Sequence, residues 1–240
     1  MPAKVYLLGA GPGDPELLTL KAARILRGAE AVVYDNLISD EILKLIPKKA
    51  EKIFAGKTKS RHLLKQHEIN DLLVSLAKKY KNVVRLKGGD PFIFGRGGEE
   101  VEALRKAKVK FEVVPGITAA QGCSAAIGIP LTHRDYVSGV HFFTGHGCHD
   151  LEPDVDWQVL ANEDKTLVIY MGLTNIKTIV KRLVEHGMKR STPAVVVENG
   201  TTKKQREFYG KLGELPKILE QNAVKSPALI MIGKVITLQK

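Results

Sequence analysis

Arg85-Leu86-Lys87-Gly88-Gly89-Asp90-Pro91-Phe92-Ile93-Phe94-Gly95-Arg96-Gly97-Gly98-Glu99-Glu100 decides how the rest of the chain is read. It grows out of a short apolar run, Asn82 to Leu86, and leads into a helix-like run from Glu99 to Ala107. Strand, tight loop and helix in that order are how an α/β sheet presents backbone N–H groups and a carboxylate to a small ligand. Glycine tolerates positive φ and close backbone approach, at an entropic cost. A solvated linker has no use for Gly88, Gly89, Gly95, Gly97 and Gly98 together, nor for Phe92, Ile93 and Phe94 among them. The segment reads as a ligand-binding loop.

Outward from this loop the chain alternates. Lys4 to Leu8, Ala31 to Tyr34, Lys52 to Ala55, Asn82 to Leu86 and Lys110 to Val114 read as short buried strands. Helices fall between them: one with Leu17, Leu20, Ala23 and Leu26 on a single face, one from Ser39 to Ile46, and one from His67 to Tyr80. Five strands with helical crossovers predict a largely parallel sheet. Gly9-Ala10-Gly11-Pro12-Gly13-Asp14 is superficially a dinucleotide fingerprint. Asp14 stands where the last glycine belongs and would repel a pyrophosphate, and Pro12 removes a donor, so NAD and FAD are excluded. Asp35 and Lys57 each stand just past a strand end, where α/β sites collect.

Pro115 to Pro130 is rich in small residues and nearly uncharged, and reads as a closely packed helix starting near Thr118. The domain junction is placed here, giving domains 1–115 and 116–240. The second half restarts the alternation at Val140 to Thr144, Thr166 to Tyr170, Ala194 to Val197, Arg206 to Gly210 and Leu229 to Ile232, with a helix from Thr174 to His186. Mixed strand direction is expected there. His146, Cys148, His149 and Asp150 crowd one loop without helical i, i+4 spacing, and no metal site is expected.

The 240 residues are 44% hydrophobic and 26% charged, an ordinary globular composition with no membrane-length apolar run. Cys123 and Cys148 are the two cysteines, without CxxC spacing. Met1-Pro2-Ala3-Lys4 leads directly into a strand, so no leader and a reduced cytoplasmic setting are expected. The formal net charge of +11 favours an anionic partner. An RNA-binding module is the non-enzymatic alternative. It gives the glycine loop no use, and an aromatic content of 6% without aromatic–basic interleaving offers no stacking platform.

The motifs Gly9 to Asp14, Tyr34-Asp35, Gly56-Lys57, Arg85 to Glu99, Val114 to Ala119, Thr132-His133-Arg134, Tyr170-Met171-Gly172 and Glu198 to Thr201 together resemble the class III tetrapyrrole methyltransferases. The glycine loop and Thr132 to Arg134 look most like the uroporphyrinogen-III C-methyltransferase branch. The resemblance implies two α/β domains with the active site in the cleft between them, and S-adenosyl-L-methionine as cofactor. It implies cofactor contacts at Pro12, Gly88, Gly89, Asp90, Ile93, Thr118, Ala119, Met171, Gly200 and Ala228. It makes Asp35 a proton acceptor and Lys57 a proton donor.

The substrate it implies is uroporphyrinogen III, an octacarboxylate that suits the positive charge. Methylation at C2 and C7 would give precorrin-2 by way of precorrin-1 and leave S-adenosyl-L-homocysteine. Arg96, Arg134 and His133 are the candidate carboxylate partners, arginine being suited to bidentate pairing. Arg96 is also a rival to Asp35 as base. A homodimer is the family's expectation. Related methyltransferases acting on later precorrins, diphthine or ribosomal RNA share the opening and glycine-loop motifs and remain the enzymatic alternative.

Overall fold

The computed structural model describes residues 3–56, 64–147 and 153–239. The chain forms two compact units that divide after Thr118, so the first also takes in Gly116 to Thr118.

The first unit holds β1 (Lys4–Gly9), β2 (Ala31–Tyr34), β3 (Glu51–Phe54), β4 (Asn82–Lys87) and β5 (Lys110–Val114). All pair in parallel, in the order β3-β2-β4-β1-β5. Their helices are α1 (Leu20–Arg27), α2 (Asp40–Leu43), α3 (Gln66–Leu76) and α4 (Gly97–Lys106). Side chains alternate between faces along each strand. Leu8, Val32, Val84, Leu86 and Val114 pack with Ala22 and Leu26 of α1 and Ile42 of α2. Val5, Leu7, Val33 and Val83 pack on the other face with Ile69 and Leu73 of α3 and Val101 and Leu104 of α4. The sheet is therefore covered on both sides, as a parallel sheet requires.

The first helix corrects one expectation. Pro15–Leu17 is a separate 3-10 turn, capped by Asp14, and α1 starts only at Leu20. Thr19 Oγ1 accepts from Ala22 N at 3.1 Å and resets the phase. Ala22 and Leu26 then face the core, while Leu20 is 92% exposed.

The second unit holds α5 (Ala119–Ala126), β6 (Gly139–Thr144), α6 (Trp157–Leu160), β7 (Lys165–Tyr170), α7 (Ile176–Glu185), β8 (Pro193–Glu198), β9 (Arg206–Lys211), α8 (Leu215–Gln221) and β10 (Ala228–Ile232). Its sheet runs β6-β7-β10-β8-β9, parallel between β6 and β7 and antiparallel at the other pairings, so the expected mixed direction is found. Leu167, Ile169, Val196 and Ile230 pack under α7 and α8. Val168, Val195, Val197 and Met231 pack on the opposite face with Ala120 and Cys123 of α5. Among the described residues no helix is long and apolar enough to cross a membrane.

Candidate active site

In the first unit, the loops leaving β1, β4 and β5 close on one another at the carboxyl edge of the sheet. Gly11 and Gly89 exchange both backbone bonds, Gly89 N to Gly11 O at 2.7 Å and Gly11 N to Gly89 O at 3.1 Å. A Cβ on Gly9 would stand 2.5 Å from Gly116 N and 2.7 Å from Gly89 O. A Cβ on Gly116 would strike the Gly89 carbonyl still harder. Glycine is required at these crossings because the chains touch backbone to backbone.

Asp90 ties the arrangement together. Its Oδ1 accepts from Phe92 N at 2.8 Å and Ile93 N at 3.2 Å, and its Oδ2 accepts from Gly116 N at 3.0 Å. The carboxylate thus clamps two loops. Phe94 and Arg96 adopt positive φ, 51° and 57°. These turns leave Phe92, Ile93 and Phe94 exposed, and Leu37 of the neighbouring β2 loop is exposed too. Large apolar side chains held open at a strand edge offer a surface to a flat apolar ligand.

Beneath this edge lies a cluster of buried charge. Arg85 and Lys87 occupy alternate positions of β4 and so point to the same face as Val83, toward α3 and α4. Glu100, wholly buried in the first turn of α4, meets both. Arg85 Nε donates to its Oε1 at 3.0 Å and Lys87 Nζ at 2.9 Å. Gln66 Nε2 donates to the same oxygen at 3.4 Å. At the other end of the guanidinium, Arg85 Nη2 donates to Asp35 Oδ2 at 3.1 Å. Burial, then the Arg85 charge, pushes the Lys87 ammonium below the usual lysine range, and Glu100 and Asp35 pull it partly back.

Asp35 stands at the carboxyl end of β2, with Gly56 at the end of the adjacent β3. Lys57 follows Gly56 directly but lies outside the described residues. Arg96 makes a two-point pair with Glu99, Nε to Oε1 and Nη2 to Oε2, both 2.8 Å. That hydrogen bond raises the Arg96 pKa and holds Glu99 below the usual carboxylate range.

The second unit assembles a different set. Because β10 is antiparallel to both β7 and β8, the carboxyl ends of β7 and β8 share an edge with the start of β10. Met171 (φ 53°, 52% exposed), Gly200 and Ala228 therefore fall on one edge. Asn199 N donates to Pro227 O at 2.9 Å across it. The amino end of α5 joins them, where Ala120 N donates to Tyr170 Oη at 3.0 Å. A Cβ on Gly200 would strike Cys123 Sγ. Ala119 opens α5, and Thr118, buried, ends the first unit.

His133 and Arg134 stand apart from that edge. They sit in the turn before β6, and Ser138, which follows the turn, bonds to Asp164 O at the amino end of β7. His133 packs edge-on against Tyr136, with ring centroids 4.9 Å apart, and its Nδ1 accepts from Asp135 N. Arg134 is exposed. His146 lies after β6, while Arg61, Cys148, His149 and Asp150, like Lys57, lie outside the described residues.

Reading the sequence missed Arg85, Lys87 and Glu100 as a unit. The signal available was two cations on the same face of an otherwise apolar strand, since such residues are almost never fully buried unpaired.

Comparison with known proteins places the chain in a family. Residues 4–216 match the family model of Tetrapyrrole (Corrin/Porphyrin) Methylases. A siroheme synthase of Pseudoalteromonas translucida is 52% identical over 237 residues, covering 99% of this chain and 50% of its own. A siroheme synthase of Pseudomonas fluorescens is 49% identical over 239 residues. The chain thus spans about half the length of the curated relatives it matches. Among solved structures, uroporphyrin-III C-methyltransferase of Thermus thermophilus is 40% identical, with TM-score 0.84 over 98% of this chain and 94% of that one. A structure of the Thermus enzyme complexed with S-adenyl homocysteine is 41% identical, with TM-score 0.85 and the same coverage.

Proposed function

The chain belongs to the tetrapyrrole methylases, and on that premise we propose that it methylates uroporphyrinogen III at C2 and C7, giving precorrin-2 by way of precorrin-1. The observation that carries the reading is the glycine crossing of Gly9, Gly11, Gly89 and Gly116, clamped by Asp90, in a chain 41% identical to a methyltransferase complexed with the demethylated cofactor.

The residues present fit S-adenosyl-L-methionine. The half-buried backbone of Gly88 and Gly89 is the proposed contact to its polar amino-acid end, and Asp90 the proposed partner of its ribose hydroxyls. Ile93 and Met171 offer soft apolar surface to the adenine and thioether. Pro12, Thr118, Ala119, Gly200 and Ala228 complete the proposed contacts. When bound, the cofactor supplies a methyl group whose bond to sulfur breaks as a bond to a pyrrole carbon forms, leaving S-adenosyl-L-homocysteine.

The protein's own part is to hold the reactants in line and to take up the proton that the ring system gives up, from a position other than the methylated carbon, once the new carbon–carbon bond has formed. Asp35 is the proposed acceptor, fixed by Arg85, and Lys57 the proposed proton donor. Arg96, Arg134 and His133 are the proposed partners of the substrate carboxylates, and the exposure of Arg96 and Arg134 leaves both accessible. A homodimer in a reduced cytoplasmic setting belongs to the same proposal.

The test is an anaerobic incubation with uroporphyrinogen III and methyl-labelled S-adenosyl-L-methionine, with the tetrapyrrole followed by mass. Gain of two labelled methyl groups is expected. Cofactor binding without transfer to this substrate would move the assignment to a related methyltransferase acting on a later precorrin, diphthine or ribosomal RNA.

A further inference from the structure

We infer that Arg85 is a positioning residue that fixes the carboxylate of Asp35, and that Glu100 is the buried anchor that fixes Arg85. The inference rests on the reading of Asp35 as the proton acceptor.

Three of the guanidinium nitrogens of Arg85 are spoken for. Nε donates to Glu100 Oε1 at 3.0 Å, Nη1 to Leu86 O at 3.1 Å and Nη2 to Asp35 Oδ2 at 3.1 Å. The guanidinium is planar, so the first two bonds set the plane and thereby the direction of the third. The other oxygen of Asp35, Oδ1, accepts from Leu37 N at 3.1 Å. Both carboxylate oxygens are thus held and the group cannot swing freely. A base must lie within hydrogen-bond reach of the proton it takes, so its orientation decides whether it works.

Glu100 is not arranged for stability alone. Its Oε1 receives Arg85, Lys87 and Gln66, while among the described residues its buried Oε2 has no hydrogen-bond partner. A buried ion cluster with an unused acceptor costs more than an apolar core of the same volume. Its retention makes sense where the direction of a side chain matters. The charged and polar groups around Arg85 come from each packed element: Lys87 on β4, Glu100 on α4, Gln66 on α3 and Asp35 after β2. Arg85 bridges the anchor to the base. Lys87, depressed in pKa by burial, balances Glu100 without reaching Asp35 by a hydrogen bond among those seen.

The experiment is a double-mutant cycle of Arg85→Lys and Asp35→Asn, with Glu100→Gln as a second, near-isosteric probe. Arg85→Lys keeps the charge and loses the planar fork. In the wild-type background it is expected to lower kcat about a hundredfold, and Glu100→Gln about tenfold, with both KM values within about twofold, since small misplacements of reacting groups cost rate rather than binding. In the Asp35→Asn background Arg85→Lys is expected to cost nothing further, because Arg85 acts through Asp35. An equal loss in both backgrounds, or no loss in the wild type while Asp35→Asn is inactive, overturns the positioning role and leaves the base reading standing. Wild-type activity in Asp35→Asn overturns the base reading and the inference with it. Turnover is not the only readout. The Arg85 Nε–H in wild-type protein is expected to exchange slowly with water by nitrogen-resolved NMR, and faster in Glu100→Gln; rapid exchange in the wild type overturns the anchor.

Discussion

The central strands β4 of the first sheet and β7 and β10 of the second end differently. In the first unit β4 finishes with Arg85 and Lys87, buried and tied to Glu100, and its neighbour β2 runs into Asp35. In the second, β7 and β10 stay apolar through Val168, Ile169, Ile230 and Met231, and their edge is built from Met171, Gly200 and Ala228. The first unit gathers two buried cations on one carboxylate beside Asp35, whereas among the described residues the second keeps a single buried carboxylate at its edge, Glu198 at the end of β8, tied to the exposed Arg206. The difference suits the roles proposed for them: a proton-transfer group needs a fixed direction and a partner, whereas an apolar ligand needs fitted surface. A parallel sheet buried on both faces is a costly place for ions. Their presence there is what the proposed roles of Asp35 and Arg85 rest on.

The comparison breaks most visibly at Glu100. Glu100→Ala leaves Lys87 as a buried cation without its paired carboxylate and Arg85 with Asp35 alone, and a loss of about 3–5 kcal/mol of stability is expected, read from urea denaturation of the purified protein. Unchanged stability would mean that the cluster is solvated and the contrast between the sheets is empty.

A pair of glycines sharpens it next. Gly116→Ala drives a methyl group into the Gly89 carbonyl, which has nowhere to go, whereas Gly200→Ala meets side chains, Cys123 foremost and Val197 less closely. Overpacking of this kind costs roughly 1–3 kcal/mol. Cys123→Ala is expected to rescue the thermal midpoint of Gly200→Ala, while no single side-chain trimming rescues Gly116→Ala. Failure of the rescue would place the strain in the second unit's backbone.

Surface charge is worth less than buried charge, and Glu112 shows by how much. Its carboxyl is held below the ordinary value of 4.5, chiefly by Lys21 and then by Lys4. Its contribution is therefore present above pH 4.5 and lost as the pH falls through the lowered folded value. The group is partly exposed, so Glu112→Gln is expected to cost at most about 1 kcal/mol at neutral pH. The gap in melting temperature between wild type and variant should close on acidification; a gap that widens would reverse the assigned sign.

The smallest effect concerns Cys123, buried beside Gly200, whose thiol is pushed up to about 12 by burial. Native protein treated with iodoacetamide at pH 8 is expected to leave the Cys123 peptide unmodified by mass, and unfolded protein to modify it fully. Rapid labelling in the native state would show that the second unit's edge opens.

Most of the architecture was legible because it is written in strand-length apolar runs. The second and fifth strands lie where the sequence places them, and most of the others differ only at their ends. The phase of the first helix was not legible. Leu17 and Leu20 fit a helical stripe, but Thr19 can cap its own helix, and local capping outweighed the stripe. Asp35 and the glycine loop could be found because strand ends and glycine clusters are local signals. The Arg85–Glu100 pair could not, because it depends on which face of the sheet α4 covers, a tertiary fact. The place of Asp90 as a loop clamp was not legible, because it depends on Gly116, brought near only by β1 lying between β4 and β5.

The measurement that tests the account most directly is methyl transfer to uroporphyrinogen III by Asp35→Asn at saturating S-adenosyl-L-methionine, with cofactor affinity measured on the same sample. Asn keeps the size of the side chain and removes the proton acceptor. The expected result is wild-type cofactor affinity with transfer slowed by about 10²–10⁴-fold. Transfer at the wild-type rate would contradict it, and would move the base away from the buried charge of the first unit.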